Sequence, residues 1–98
     1  MVDEIINESD WEVLKDHPNY EICRIYPHSI RRVKDKYVVK EFLEQGYFRI
    51  ALNQKLYSKY RLIALQFIPN SNPELYTCID HINHVRTDNR IENLFLYK

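Results

Sequence analysis

An acidic residue and a histidine lie side by side at Asp80 and His81, and Asn93 follows at the start of the next expected strand. A polar loop separates the two strands. Hydrolysis of a phosphodiester bond needs a base that takes a proton from water and a cation that offsets charge on the phosphate. Imidazole suits the first task because its pKa lies near neutral pH, and a carboxylate suits the second. Asp80 and His81 are therefore candidate hydrolytic residues, although an isolated pair of this kind could equally serve to cap the loop.

The whole run from Asp80 to Leu94 resembles the HNH homing-endonuclease family, in which Asp-His followed roughly thirteen residues later by Asn-Leu begins a ββα-metal site. The resemblance implies that His81 is the general base and that Asp80 is a metal ligand. It implies that Asn93 joins His81 in the catalytic group by tying the loop together and orienting the histidine. Asn89 matches the loop pattern as a structural residue. Mg²⁺ or Mn²⁺ is the implied cofactor, and double-stranded DNA is the implied partner.

The resemblance extends upstream of this motif. The run from Tyr60 to Asn70 is similar to the helix and Pro-Asn turn that precede the motif in the family, and the run from Trp11 to Val33 is similar to an N-terminal recognition module. We therefore predict a recognition-like segment at residues 1–56 and an HNH-like segment at residues 57–98, within one compact unit.

Two departures from the family pattern bear on activity. Tyr60 stands where the family usually has a histidine, which we expect to affect packing more than chemistry. The family fold also continues after the second strand into a helix that supplies a further metal ligand, whereas this sequence ends four residues after Leu94. One carboxylate should hold magnesium weakly. We therefore expect this chain alone to cut DNA poorly or not at all, unless a partner or a second copy supplies the ligand.

The zero net charge conceals a division along the chain. Residues 1–21 contain seven acids and one base, and nine bases fall between Arg31 and Arg61, interleaved with aromatic residues. Such clustering is typical of a surface that follows phosphates, and an ordinary solvated strand face would look similar. The predicted DNA-binding residues are Arg31, Arg32, Lys34, Lys36, Lys40, Arg49, Lys55, Lys59, Arg61, Arg86 and Arg90.

The sequence predicts a small α+β domain with short antiparallel strands. Residues 58–67 favour one central helix that ends before Pro69, although a run this short also fits a strand. Residues 76–80 and 93–97 should form the hairpin-like end that carries the motif. Residues 37–42 and 47–52 should form a hairpin around Gly46, and residues 20–25 should pair with residues 30–33.

Capping-box spacing at Ser9 and Glu12 predicts a short N-terminal helix that Pro18 would close.

Composition excludes several classes of protein. Apolar residues make up 45% of the 98 positions, which is too many for a disordered chain. Cys23 and Cys78 stand far apart, which excludes a zinc ribbon and favours reduced thiols. No apolar run is long enough to span a membrane, and the first residues are acidic where a secretory signal would be basic, so we predict an intracellular protein.

Three functions are compatible with these observations. The first is a metal-dependent DNA endonuclease. The second is a DNA-binding protein that uses the same fold without cutting, and the third is a protein-interaction module in which the acidic N-terminus folds against a basic surface or imitates DNA. A homo-oligomer or a protein partner is compatible with each of them.

Overall fold

The computed structural model describes residues 5–98, which divide into two compact units between residues 39 and 40. Both contain short antiparallel strands, and one of them contains the single helix of the described chain. The predicted α+β class is confirmed. The predicted boundary after residue 56 was drawn on sequence motifs, and it stays a prediction about function.

The first unit contains a three-stranded sheet in the order β1-β2-β3, formed by Trp11–Leu14, His17–Cys23 and Ile30–Arg32. Ile22 and Ile30 are opposite each other in the register and are fully buried. The predicted pairing of the second and third strands is therefore correct in outline.

The predicted N-terminal helix is wrong. The structure has a 3-10 turn at Glu8–Asp10, and the chain then enters β1 directly. A turn that contains Asp16, at φ +65°, leads back into β2, and the register of the two strands slips between Val13 and Leu14. This irregularity places Pro18 where strand pairing is interrupted, and a proline fits there because it has no N–H to donate. Pro18 therefore does not end a helix.

The second unit begins with a three-stranded sheet of β4 (Glu41–Glu44), β5 (Tyr47–Leu52) and β6 (Lys55–Ser58). The predicted hairpin around Gly46 exists, but its first strand lies later than expected. The two-residue turn at Gln45 and Gly46 has positive φ at both positions, which suits the twist of a hairpin and pairs Glu44 directly with Tyr47. Strand β4 therefore continues to Glu44, next to the turn, and does not end at residue 42 as predicted.

Strand β6 was not predicted from the sequence. A second two-residue turn, at Asn53 and Gln54, also has positive φ at both positions. Gln is an uncommon residue at such a conformation, so the sequence carried no strong turn signal.

Helix α1 spans Lys59–Phe67 and agrees with the prediction. Its buried face includes Leu62 and Ile63, and the core of the unit also contains Ile50, Leu52 and Leu94. The helix ends at Ile68, whose extended backbone is what the residue before a proline adopts. No helix of the described residues is long and apolar enough to cross a membrane.

The final hairpin pairs β7 (Cys78–His81) with β8 (Leu94–Tyr97), and a 3-10 turn at Ile91–Asn93 leads into β8. These bounds agree with the prediction to within two residues at each end. Cys23 is buried and Cys78 is half-buried, and both are free thiols as predicted.

Lys59 lies at the start of α1, and its side chain is only 1% exposed. Its ammonium group donates a hydrogen bond to the carboxylate of Glu41 in β4. Burial lowers the pKa of Lys59 below its usual value, and Glu41 opposes that change. The pair is therefore an element of the core of this unit.

Replacing Glu41 with glutamine should lower the free energy of unfolding by about 2 kcal/mol, because it removes the carboxylate facing a buried ammonium. We place the effect below that of fully buried pairs because Glu41 is 25% exposed and water can reach it. The measurement is urea denaturation of Glu41→Gln and of the double variant Glu41→Gln/Lys59→Met, in which the charge is also gone. Most of the loss should be recovered in the double variant, and a double variant less stable than Glu41→Gln would contradict this account.

Candidate active site

Asp80 and His81 lie at the end of β7, where the chain leaves the sheet for the loop of residues 82–90. His81 is opposite Leu94 in the register, and the backbone N–H of Ile82 donates to the carbonyl of Asn93 at 2.8 Å. The hairpin therefore fixes where the acid and the histidine stand. One carboxylate oxygen of Asp80 accepts the backbone N–H of His81 at 2.8 Å, which orients the carboxylate.

The His81 imidazole is 4% exposed and is held at one of its two nitrogens. Its Nε2 lies 2.8 Å from Oδ1 of Asn89, which is also buried. An amide oxygen can only accept a hydrogen bond, so this contact places the proton on Nε2. The lone pair is then on Nδ1, which is the nitrogen that can act as a base.

Asn93 closes the loop, as the sequence analysis predicted. Its Oδ1 accepts the backbone N–H of Asn83 at 3.1 Å, and its Nδ2 donates to the carbonyl of Asp88 at 2.8 Å and to Oδ1 of Asn83 at 3.0 Å. The expected hydrogen bonding between Asn93 and the loop backbone is therefore confirmed.

A bidentate ion pair further orders the same loop. Arg90 donates from Nε and Nη2 to the two carboxylate oxygens of Asp88, each at 2.7 Å, and Asn83 donates to one of them at 2.8 Å. The Arg90 guanidinium holds the pKa of Asp88 well below its usual range. Arg90, which was predicted to bind DNA, thus has an ion-pair partner within the loop.

Two tyrosines flank the imidazole. The Tyr60 ring of α1 meets the His81 ring edge-on with centroids 5.1 Å apart, and Tyr47 of β5 lies 6.0 Å from it. Tyr60 is the residue that departs from the family pattern, and it packs directly on the candidate base. Tyr47 was not predicted as a site residue, because nothing in the local motif links it to His81 across 34 positions.

These residues border a cleft of about 220 Å³, lined by Tyr47, Asp80, His81, His84 and Arg86. His84 was assigned no role from the sequence. The structure places it at the cleft with φ +61°, a conformation that few residues other than glycine adopt. An acid, two imidazoles and a guanidinium therefore meet around one opening.

Residues 59–98, which contain this arrangement, match the family model described as HNH endonuclease. The chain belongs to the HNH endonuclease family. It is 31% identical over 71 residues to the protein named Uncharacterized HNH endonuclease L247 of Acanthamoeba polyphaga mimivirus, in a match that covers 67% of this chain and 18% of that protein. The resemblance drawn from Asp80 to Leu94 is thereby confirmed.

A solved structure described as DNA binding and cleavage by the HNH homing endonuclease I-HmuI shares the fold. The match has a TM-score of 0.72 at 22% identity and covers 90% of this chain and 52% of that chain. This HNH chain thus spans about a fifth of the mimivirus protein and about half of the solved one.

The metal that the HNH family implies finds one suitable carboxylate in the cleft. Asp80 uses one oxygen for the His81 backbone, and the other is available to a cation. Within residues 5–98, no group of three or more His, Cys, Asp or Glu side chains is placed to hold a metal ion. Magnesium often binds through one or two carboxylates, with water and substrate phosphate completing its shell, so Asp80 fits that mode.

The predicted DNA-binding residues differ in their surroundings. Arg31 is 6% exposed, stacks on Trp11 with its guanidinium carbon 4.0 Å from the ring centroid, and pairs with Glu8 and Glu21. Lys59 is buried beside Glu41. Three more of these bases have acidic partners within their own unit. Lys36 pairs with Glu8 and Glu21. Arg32 pairs with Asp35, and Arg49 pairs with Glu44. Lys34, Lys40, Lys55, Arg61 and Arg86 are exposed, with no ion pair recorded for them within residues 5–98.

Proposed function

We propose that this chain forms part of a metal-dependent DNA endonuclease, with His81 as its general base. The observation that carries the proposal is the contact between His81 Nε2 and Asn89, because it leaves Nδ1 as the basic nitrogen of an imidazole that lines the same cleft as Asp80. Asn89 sets the tautomer and Asn93 holds the loop that carries Asn89. In this arrangement Nδ1 accepts a proton from the attacking water, and Tyr60 and Tyr47 limit the tilt of the ring.

Asp80 is the proposed ligand for Mg²⁺ or Mn²⁺. A bound divalent cation would supply positive charge to the phosphate and to the departing oxygen. The hydrogen bond from the His81 backbone holds the Asp80 carboxylate in place. The proposed metal ligand and the proposed base therefore line the same cleft. Asp80 is a single carboxylate, and we therefore expect weak metal binding by this chain alone, unless a second copy or a protein partner adds a ligand.

Nicking of supercoiled plasmid tests this proposal. We expect relaxed circles to accumulate only slowly with magnesium or manganese and not in chelator, and we expect manganese to be the more permissive ion. A protein that retards duplex DNA in chelator but never cuts with either metal would instead be a DNA-binding module without catalysis. Nicking that rises faster than linearly with protein concentration would indicate that a second copy completes the site.

Double-stranded DNA is the proposed substrate, which implies that the protein works inside a cell. We propose that the exposed bases Lys34, Lys40, Lys55 and Arg61 contact phosphates, and that residues 1–56 contribute to recognition. Arg31 and Lys59 are left out of this set because their charges are buried and paired.

Duplex affinity should fall steeply with salt, with a slope in log–log form of about 0.9 per phosphate contact. The quadruple variant Lys34→Gln/Lys40→Gln/Lys55→Gln/Arg61→Gln should weaken binding to all sequences alike and reduce that slope by up to about 3.6, for four contacts. The measurement is fluorescence anisotropy of a labelled duplex in chelator, with the salt concentration varied from about 50 to about 200 mM. Lys15→Gln, in the acidic N-terminal stretch, is the single-charge control. An unchanged slope in the quadruple variant would show that these four side chains do not contact phosphates and that DNA binds through other residues.

A further inference from the structure

Arg86 reaches from the loop of residues 82–90 to the turn between β4 and β5. Its Nη1 donates to the carbonyl of Gln45 at 3.1 Å, and its guanidinium carbon lies 5.1 Å from the centroid of the Tyr47 ring. A flexible arginine is thus held at two points on a hairpin about forty residues earlier in the chain.

Gly46, the only glycine of the sequence, makes this approach possible. A β-carbon at Gly46 would lie 3.3 Å from Cδ of Arg86 and 3.5 Å from its Nη1. Its φ of +84° independently disfavours any other residue. The turn residue therefore serves the hairpin and the placement of Arg86 together.

The held guanidinium borders the same cleft as Asp80 and His81. Most arginines of the chain face a carboxylate: Arg90 pairs with Asp88, and Arg31 with Glu8 and Glu21. No such partner is recorded for Arg86 within residues 5–98. One of its five N–H donors is used by Gln45, so others remain for an anion that enters the cleft.

We propose that Arg86 binds the phosphate that is cut, and that Tyr47 and Gly46 are its positioning residues. This inference rests on the proposed nuclease function and adds to it a protein cation at the reacting phosphate. A guanidinium presents paired donors that match two phosphate oxygens, and here it is fixed before substrate arrives. Fixed donors aimed at developing charge stabilise a transition state without having to reorganise.

The experiment compares Arg86→Gln with Arg24→Gln. Arg24 is an exposed arginine of the first unit and is not among the residues that line the cleft, so its replacement removes the same charge and leaves that lining intact. We expect Arg86→Gln to lower the rate of plasmid nicking by about ten- to a hundredfold, and Arg86→Lys to recover only part of it, because lysine lacks the planar fork. Arg24→Gln should nick at the wild-type rate.

Duplex binding in chelator supplies a readout that does not depend on cutting. Arg86→Gln should reduce the salt slope of duplex affinity by about 0.9, as expected for one lost phosphate contact, and Arg24→Gln should not. Wild-type protein that binds or cuts DNA, with Arg86→Gln equal to it in both assays, would overturn the inference while leaving the nuclease function intact. Wild-type protein that neither binds nor cuts would overturn both.

The positioning roles are tested by coupling. Tyr47→Phe retains the ring and should keep the wild-type salt slope, whereas Tyr47→Leu and Gly46→Ala should each lower it. In an Arg86→Gln background, neither substitution should change the slope further, because the contact it supports is already gone. A purely structural role for Tyr47 and Gly46 would give the same losses in both backgrounds, and that result would reject them as positioning residues.

Discussion

Replacing His81 with alanine should lower the rate of plasmid nicking by roughly a hundred- to ten-thousandfold, which is the range that a positioned general base contributes. The reason lies in the tautomer. Asn89 accepts the hydrogen bond from Nε2, so Nδ1 is the basic nitrogen of an imidazole that lines the same cleft as Asp80, and alanine has no group that can take the proton from water. The measurement is the initial rate of relaxed-circle formation at equal protein concentration, with manganese.

The matched control is His17→Gln, which removes an imidazole from β2 in the other unit. It should nick at the wild-type rate. Circular dichroism and the urea midpoint of His81→Ala establish that the variant is folded, because His81 is buried and its loss could also disturb packing. A folded His81→Ala protein that nicks within about threefold of the wild-type rate would exclude His81 as the base, because a positioned base contributes at least about a hundredfold.

Replacing Asn93 with alanine should lower the free energy of unfolding by about 3 kcal/mol, since each of its three hydrogen bonds contributes about 1 kcal/mol. The amide is 5% exposed, so water cannot readily replace it. Its partners in the loop, the Asn83 N–H and the Asp88 carbonyl, would lose their alignment. Nicking should fall as well, because the same loop carries Asn89.

Urea denaturation followed by tryptophan fluorescence or circular dichroism measures this effect. Glu92→Ala, an exposed neighbour in the same 3-10 turn, is the control and should change stability by less than about 0.5 kcal/mol. If Asn93→Ala were as stable as Glu92→Ala, the loop would owe its shape to other contacts, with the Asp88 to Arg90 ion pair the next to test.

Local pattern was enough to predict the part of the fold that carries the site. The helix at residues 58–67 and the hairpin around the loop were predicted because apolar spacing and turn residues act over a few positions. The same local logic failed at Ser9, where capping-box spacing indicated a helix. The run that follows pairs with β2 instead, and strand pairing overrides a weak local preference.

The candidate site was predicted in its motif and missed in its surroundings. Asp80, His81, Asn89 and Asn93 lie within one loop, so their spacing could be recognised in the sequence. Tyr47 and the anchoring of Arg86 depend on a hairpin distant in sequence, and no local pattern encodes such a contact.

Counting bases in the sequence also could not distinguish those that face solvent from those that neutralise acids inside a unit. Arg31 and Lys59 belong to the second kind, since both are buried against glutamates.

The two-residue turns on either side of β5 have a consequence for how sequences of this kind can diverge. Adding or deleting one residue in either turn would shift the strand by one position and turn Ile50 and Leu52 from the core to solvent. We therefore expect relatives to have no insertions or deletions in either turn. Insertions and deletions should instead occur between α1 and β7, where ten residues connect the two elements without regular structure. The number of residues from Gln45 to Gln54 should then be the same even in relatives whose other connections differ in length.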